Sequence, residues 1–112
     1  MEDNSWEVIS FESARGEQFV EKFIRSLDKS TISKFTRDAD LLEKHGPLLG
    51  MPHSKKLTKD LYELRIKGKQ EVRIIYGFIG SKVYLLHGFL KKTQKTPIKE
   101  IETAQQRLTI LK

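Results

Sequence analysis

Residues 61–90 read LYELRIKGKQEVRIIYGFIGSKVYLLHGFL, and this stretch decides the fold. It contains three runs in which apolar residues alternate with other residues, separated by short polar loops that carry Gly68 and Gly80. Period-two alternation is typical of β-strands, and short glycine-containing loops join antiparallel neighbours. We therefore predict a three-stranded antiparallel meander. Its third strand is predicted to keep one face made of Val83, Leu85, His87 and Phe89.

The residues before the meander change from strand to helix periodicity. Residues 6–11, WEVISF, are rich in β-forming side chains and predict a strand. A helix with Ser13 as its N-cap is predicted next from apolar residues at three- and four-residue spacing, namely Phe19, Val20, Phe23, Ile24 and Leu27. A second helix is predicted over residues 30–44, ended by Gly46 and Pro47. The short link between the two helices predicts a helical hairpin, and residues 46–60 are predicted to form a loop.

The last element is a predicted helix whose first turn contains Pro97. Its inward face is predicted to hold Ile98, Ile101, Ala104, Leu108 and Ile110. The element order is therefore β-α-α-β-β-β-α, which predicts one α+β domain over residues 1–112. In this arrangement the N-terminal strand and the helical hairpin pack on a twisted antiparallel sheet, together with a C-terminal helix, and the helices are predicted to lie on one side of that sheet.

The charge of the chain favours a polyanionic partner. The formal net charge is +6, from 21 Lys and Arg against 15 Asp and Glu, with a pI near 9.6. Bases dominate from residue 51 to residue 99, where the only acids are Asp60, Glu63 and Glu71. Nucleic acid is the main cellular polyanion that such a surface attracts. The alternative is a lysine-rich surface that serves solubility alone.

Several classes of protein are excluded by what the sequence lacks. No run approaches the roughly 18 apolar residues of a membrane span, and the acidic start, residues 1–4, does not suit a secretory signal. There is no cysteine, which fits a cytoplasmic protein. No His, Asp and Glu residues have metal-ligand spacing, and no glycine-rich phosphate loop or nucleophile elbow is present. We therefore predict no metal, no cofactor and no membrane contact.

The first hairpin of the meander brings two arginines together. If the apolar faces are to coincide, Tyr62, Leu64 and Ile66 must lie opposite Tyr76, Ile74 and Val72, because apolar pattern sets strand register. That register places Arg65 directly across from Arg73. Like charges at a cross-strand pair destabilise a sheet, so the pair is expected to bind an anion. The alternative is that Glu63 and Glu71 neutralise the two arginines as ordinary ion pairs.

Further bases are expected to extend this site into one concave basic patch. Lys91 and Lys92 follow the third strand of the meander, and the segment 51–57, MPHSKKL, closely precedes the first. The other lysines expected to bind the polyanion are Lys55, Lys56, Lys67, Lys69 and Lys95. His53 lies on this polar loop and is the candidate acid or base. His45 is interpreted as a helix-end residue and His87 as a core residue.

Three segments resemble the RelE/HigB toxin superfamily, and most of all its HigB-like, phage-derived branch. They are LYELR at 61–65, VRIIY at 72–76 and LLHGFLKKTQKTP at 85–97, the last being the most specific. The resemblance implies a RelE-like fold and a toxin that enters the ribosome and cleaves mRNA there. It also implies a cognate antitoxin, usually one with a helix-turn-helix DNA-binding domain.

In such toxins the 2′-hydroxyl attacks the neighbouring phosphate, which requires a base, cations around the phosphorane and an acid, but no metal. By motif position, the resemblance makes Arg65 and Arg73 the phosphate contacts. It also makes Lys91 or Lys92 the basic residue after the last strand. No tyrosine follows Tyr84, so the catalytic tyrosine near the end of many relatives has no counterpart here. Two alternatives remain open: a ParE-like inhibitor of DNA gyrase, and a non-catalytic module that binds nucleic acid or a partner protein.

Overall fold

The computed structural model describes residues 6–112. The prediction that the chain has no secretory signal rests on residues 1–4, which lie outside this range. The elements in chain order are β1 (Glu7–Ser10), α1 (Phe19–Arg25), α2 (Lys29–His45), a 3-10 turn (Gly46–Leu48), β2 (Ser54–Lys56), β3 (Tyr62–Lys67), β4 (Glu71–Ile79), β5 (Lys82–Leu90) and α3 (Ile98–Leu111). No helix among these has the length and apolarity needed to cross a membrane.

The strands form one five-stranded sheet in the order β1-β5-β4-β3-β2. The predicted α+β class is confirmed, but two details of the sheet differ from prediction. β1 pairs parallel to β5, whereas the other neighbours are antiparallel, so the sheet is mixed. The predicted loop 46–60 contains β2, a three-residue edge strand whose lysines do not show the apolar alternation of a longer strand.

The predicted register of the first hairpin is confirmed. Tyr62 pairs with Tyr76, Leu64 with Ile74 and Ile66 with Val72, and Arg65 therefore lies opposite Arg73. The apolar partners in these pairs are almost completely buried, apart from Tyr62. Because sliding the register by one residue would expose this apolar set, the pattern allows only this pairing.

A β-bulge in β5 changes which residues share a face. Ile75 pairs with His87 and Tyr76 with Leu85, so Leu86 is an extra residue between them. Leu85 packs into one core while Leu86 and Phe89 pack into the other. The prediction that Val83, Leu85, His87 and Phe89 form a single face is therefore wrong beyond Leu85.

Helices cover both faces of the sheet, so the prediction that they pack on one side is wrong. One core packs under α1 and α2, around Val20, Ile24 and Leu42. The other packs under α3, around Ala104 and Leu108. Two predicted inward residues of α3 are exposed instead: Ile98 at 73% and Ile110 at 72%. Ile98 is the first residue of α3, and Ile110 lies off the inward face, which Ala104, Leu108 and Leu111 form at spacings of four and three residues.

The helix ends follow ordinary capping rules, with one predicted cap wrong. α1 begins after Gln18, while the Ser13 hydroxyl accepts from the Glu17 N–H in a preceding turn. Asp28 caps α2 by accepting from the Thr31 N–H at 2.8 Å. Gly46 ends α2 as predicted, with a φ of +52° and its N–H donated to the Leu42 carbonyl. Pro97 precedes the first helical residue of α3.

Gly88 in β5 offers a test of this packing. A Cβ built there would lie 2.5 Å from Cδ2 of Phe23 on α1, so Gly88→Ala must push α1 away from the sheet. We expect the free energy of unfolding to fall by about 1–3 kcal/mol, measured by urea denaturation. Gly68→Ala is the control, because the nearest atoms, Nζ of Lys34 and Oγ1 of Thr31, lie at 3.4 Å, which is ordinary van der Waals contact. Equal stability of the two variants would contradict the packing of α1 on Gly88.

Candidate functional site

The part of the sheet face that α3 leaves uncovered forms a cationic cleft. Helix α3 packs on Leu61, Ile75 and Leu86. Beyond this core, the same face carries the paired arginines, and the loop after β5 forms the opposite wall of a cleft of about 600 Å³. The residues that line it are Arg65, Lys67, Glu71, Arg73, Lys91, Lys92, Thr93 and Gln94. The structure thus brings Arg65, Arg73, Lys91 and Lys92 together, as the sequence predicted.

A buried carboxylate lies between the two arginines. Oε2 of Glu63 is 3.8 Å from Nε of Arg65 and 3.7 Å from Nε of Arg73, and the Glu63 side chain is only 1% exposed. Its other oxygen, Oε1, accepts a hydrogen bond from the hydroxyl of Thr96. Attraction to this carboxylate offsets the repulsion between the facing guanidinium groups. Glu63 therefore ties β3, β4 and the loop before α3 into one unit.

The two arginines have different environments. Arg73 is 2% exposed; its Nη1 donates to the Val72 carbonyl and its Nη2 to Oε1 of Glu71, both at 3.1 Å. The Arg65 side chain is 19% exposed, and its Nη1 points to the sulfur of Met51 at 3.5 Å. Among residues 6–112, Nε of each arginine is buried without a hydrogen-bond acceptor. Oε2 of Glu63 faces both nitrogens, at 3.8 Å and 3.7 Å, which is too far for a hydrogen bond.

The alternative interpretation, in which Glu63 and Glu71 neutralise the two arginines, is correct in part. Glu71 does pair with Arg73, and Glu63 is shared by Arg65 and Arg73. The two carboxylates nonetheless face more than two cations, since Lys67, Lys91 and Lys92 line the same cleft. Neutralisation of the arginines therefore leaves an excess of positive charge at this place.

Lys91 is the lysine most closely coupled to the arginines. Its backbone N–H donates to the Glu71 carbonyl at 2.8 Å, which continues the strand pairing into the cleft. Partial burial lowers the pKa of Lys91, and the nearby charge of Arg73 lowers it further, while Glu63 acts in the opposite direction. Lys55 also acts on this amine, which places it near the cleft.

Of the five predicted polyanion-binding lysines, Lys67 lines the cleft and Lys55, Lys56, Lys69 and Lys95 do not. Lys56 lies with its amine 5.7 Å from the ring centre of Tyr62, because alternation along β2 turns it to the opposite face from Lys55. Lys69 lies in the β3–β4 loop, where its charge acts on Asp28. Lys95 is exposed in the loop after β5, and its carbonyl accepts from the Thr93 hydroxyl.

The histidines occupy three different settings. His53 lies beside the cleft: its Nδ1 is 3.5 Å from Oδ1 of Asp38, and its carbonyl accepts from the Arg65 N–H at 2.8 Å. His87 is hydrogen-bonded to Glu100 at 2.7 Å, but it is 19% exposed and belongs to neither core. His45 is the exposed last residue of α2. Within residues 6–112, no three His, Asp or Glu side chains form a group that could hold a metal ion.

The sequence did not single out three residues that the structure places at the site. Glu63 was considered only as a surface ion pair, although its position two residues before Arg65 puts both on one face of β3. Thr96 and Asp38 were missed altogether. Thr96 is 33 residues from its partner Glu63, and no local pattern signals a contact over such a separation.

The fold and the cleft define a small basic α+β protein with a concentrated cationic site. Residues 22–109 match the model of the phage-derived protein Gp49-like family (DUF891), and the chain belongs to this family. The family is associated with the toxins of toxin–antitoxin systems. The resemblance to a phage-derived, toxin-associated branch is confirmed at this level. No curated protein matches the chain.

The position of Glu63 leads to a stability prediction. Glu63→Gln leaves two poorly solvated guanidinium groups facing each other without the carboxylate between them. We expect the free energy of unfolding to fall by about 3 kcal/mol, as for other broken buried ion pairs. Glu71→Gln is the matched control, because Glu71 pairs with the same Arg73 but its side chain is 46% exposed; its effect should stay below about 1 kcal/mol. Chemical denaturation of both variants tests this, and a loss for Glu63→Gln no larger than the control's would contradict it.

Proposed function

We propose that this protein is the toxin of a type II toxin–antitoxin pair and acts as a ribosome-dependent mRNA endoribonuclease of the RelE/HigB type. The observation that carries the proposal is the convergence of Arg65, Arg73 and Lys91 on one cleft. The Arg65 side chain there is 19% exposed, so its guanidinium group can donate to a phosphodiester oxygen. Membership of a toxin-associated family supports the same conclusion.

The cleavage requires groups that this site contains. The 2′-hydroxyl of one nucleotide loses its proton and attacks the adjacent phosphate, giving a cyclic phosphate and a free 5′-hydroxyl. Arg65 and Arg73 would bind the phosphate oxygens and stabilise the charge of the phosphorane. Because Arg73 is almost fully buried, Arg65 would make the more exposed contact and Arg73 would support it from below.

Proton transfer would involve Lys91 and His53. The lowered pKa of Lys91 makes its ammonium a better proton donor to the leaving 5′-oxygen than an ordinary lysine. His53, on the other side of Arg65, would accept the 2′-hydroxyl proton. Lys92 is adjacent to Lys91 and lines the same cleft, where it would add positive charge around the phosphate. Each proton donor, proton acceptor and phosphate contact proposed here is a side chain of this protein.

The remaining lysines would hold RNA outside the scissile phosphate. Lys67 lines the cleft and Lys55 lies near Lys91, so both would contact the neighbouring backbone phosphates. Lys56, Lys69 and Lys95 lie apart from the cleft and would contact RNA of the ribosome or the message at a distance from the reaction. A ribosomal target implies action in the cytoplasm.

An antitoxin is the protein partner that the family association suggests. A cationic cleft of this kind is complementary to an acidic segment, which would neutralise the arginines while covering them. We propose that the cognate antitoxin, expected to carry a helix-turn-helix domain, blocks the cleft or displaces one of its walls.

The function is tested by inducing the protein in cells and mapping the 5′ ends of translated and untranslated messages. New ends should appear only on translated RNA. Arg65→Ala should lower cleavage by about 10²–10³-fold, because it removes a donor to the developing charge. Arg25→Ala is the control: Arg25 is exposed on α1 and pairs with Glu21, four residues earlier. It should cleave like the wild type.

Other outcomes of this experiment would reject the nuclease. Intact messages accompanied by DNA breaks would indicate a ParE-like gyrase inhibitor. Intact messages and intact DNA, with RNA binding retained, would indicate a non-catalytic binding module.

A further inference from the structure

A second, smaller cavity lies on the far side of Arg65 from the cleft. Its volume is about 170 Å³, and it opens between α2 and the segment that leads into β2. The residues that line it are Lys34, Arg37, Asp38, Pro52, His53, Arg65 and Lys67. Arg65 and Lys67 line both cavities, so a phosphate bound by Arg65 would have the cleft on one side and His53 on the other.

Asp38 is the unusual residue of this cavity. It is 3% exposed, and its Oδ1 has no hydrogen-bond partner within residues 6–112. The nearest cationic or ionisable nitrogens are Nδ1 of His53 at 3.5 Å and Nε of Arg37 at 3.9 Å. A buried carboxylate without a hydrogen bond disfavours folding, so packing alone gives no reason for an aspartate at this position.

We propose that Asp38 is a positioning residue that orients the imidazole of His53 for proton transfer in RNA cleavage. The proposal rests on the proposed function and goes beyond it, because it assigns the group that controls the base. Shortening the 3.5 Å separation by a few tenths of an ångström makes a hydrogen bond from Nδ1–H of His53 to Oδ1 of Asp38.

That hydrogen bond would select one tautomer of the ring. With the proton held on Nδ1 by a carboxylate, Nε2 carries the free lone pair and can accept a proton. The backbone of His53 is held to β3, because its carbonyl accepts the Arg65 N–H at 2.8 Å, so the carboxylate has only the rotation of the ring about the side-chain bonds to restrict. The cations around the ring, Lys34, Arg37, Arg65 and Lys67, are placed to hold the RNA phosphates next to it.

The proposed step can be written in full. Nε2 of His53 takes the proton of the 2′-hydroxyl, and the 2′-oxygen forms a bond to phosphorus. The bond from phosphorus to the 5′-oxygen then breaks, and that oxygen leaves with the electron pair and takes a proton from the ammonium of Lys91. The products are the cyclic phosphate, the 5′-hydroxyl, an imidazolium and a neutral amine, and solvent returns the proton from the former to the latter.

Nitrogen-15 NMR of the histidine rings tests the orientation directly. In the labelled protein, His53 should carry its proton on Nδ1 when the ring is neutral, and His53→Gln identifies its signals. Asp38→Asn should shift the ring toward the Nε2–H form, because the amide can donate to Nδ1. Asp40→Asn, on the same helix but exposed, is the control and should leave the tautomer unchanged. A wild-type ring protonated on Nε2 would overturn the proposal.

Cleavage by the same variants gives the second readout. In single-turnover reactions on mRNA-programmed ribosomes, Asp38→Asn should lower the rate constant by about 10–10²-fold, with ribosome affinity unchanged. An active wild type with an equally active Asp38→Asn variant would overturn the role of Asp38 while leaving the nuclease intact. A wild type that cleaves nothing would reject the nuclease, whereas the tautomer measurement would still decide whether Asp38 orients His53.

The stability of Asp38→Asn tests whether the buried carboxylate lowers the stability of the fold. Burial raises the pKa of Asp38 above its ordinary value of 3.8, although His53 and Arg37 act to lower it. A carboxyl with a raised folded-state pKa stabilises the fold only when protonated, and this contribution is lost as pH rises through the folded-state pKa. Asp38→Asn should therefore have a higher Tm than the wild type at neutral pH, with the difference shrinking toward pH 3.8.

Asp40→Asn should show no such pH-dependent difference in Tm. A lower Tm for Asp38→Asn at neutral pH would contradict the prediction that the buried carboxylate lowers the stability of the fold.

Discussion

The buried Glu63 carboxylate between Arg65 and Arg73 is the interaction on which the rest of the site depends. The apolar pattern of β3 and β4 allows only one register, and that register sets two guanidinium groups against each other. Without a shared counter-charge, this pair would weaken the central hairpin of the sheet. Glu63 supplies it, and through the Thr96 hydroxyl it also holds the loop that forms the wall of the cleft.

The β-bulge at Leu86 changes which side of the sheet the end of β5 presents to α3. Unbroken alternation would put Phe89 on the same side as Leu85, whereas the extra residue places Phe89 with Leu86 in the core under α3. Helix α3 covers this apolar part of the sheet face. The polar part of the same face, with Glu63, Arg65 and Arg73, remains open beside the loop after β5.

Three of the four buried side-chain polar atoms without a hydrogen bond among residues 6–112 lie around Arg65. They are Nε of Arg65, Nε of Arg73 and Oδ1 of Asp38, and the fourth is Oγ1 of Thr31. Such atoms reduce stability, and in natural proteins they often mark places where function takes precedence over packing. Here the three atoms around Arg65 border two cavities that share this arginine. This distribution connects the cleft and the His53 cavity into one proposed reaction site.

The sequence by itself determined the helices, the central meander and the pairing of Arg65 with Arg73, because strand alternation and helical spacing are local patterns that burial enforces. It also brought Lys91 and Lys92 to the end of β5 beside the arginines. Only the tertiary structure decided that β1 runs parallel to β5, that helices cover both faces, and that Lys56 faces away from the cleft. The tertiary structure alone also decided the contacts of Glu63 with Thr96 and of Asp38 with His53. They join residues distant along the chain, and such contacts arise only when whole elements pack together.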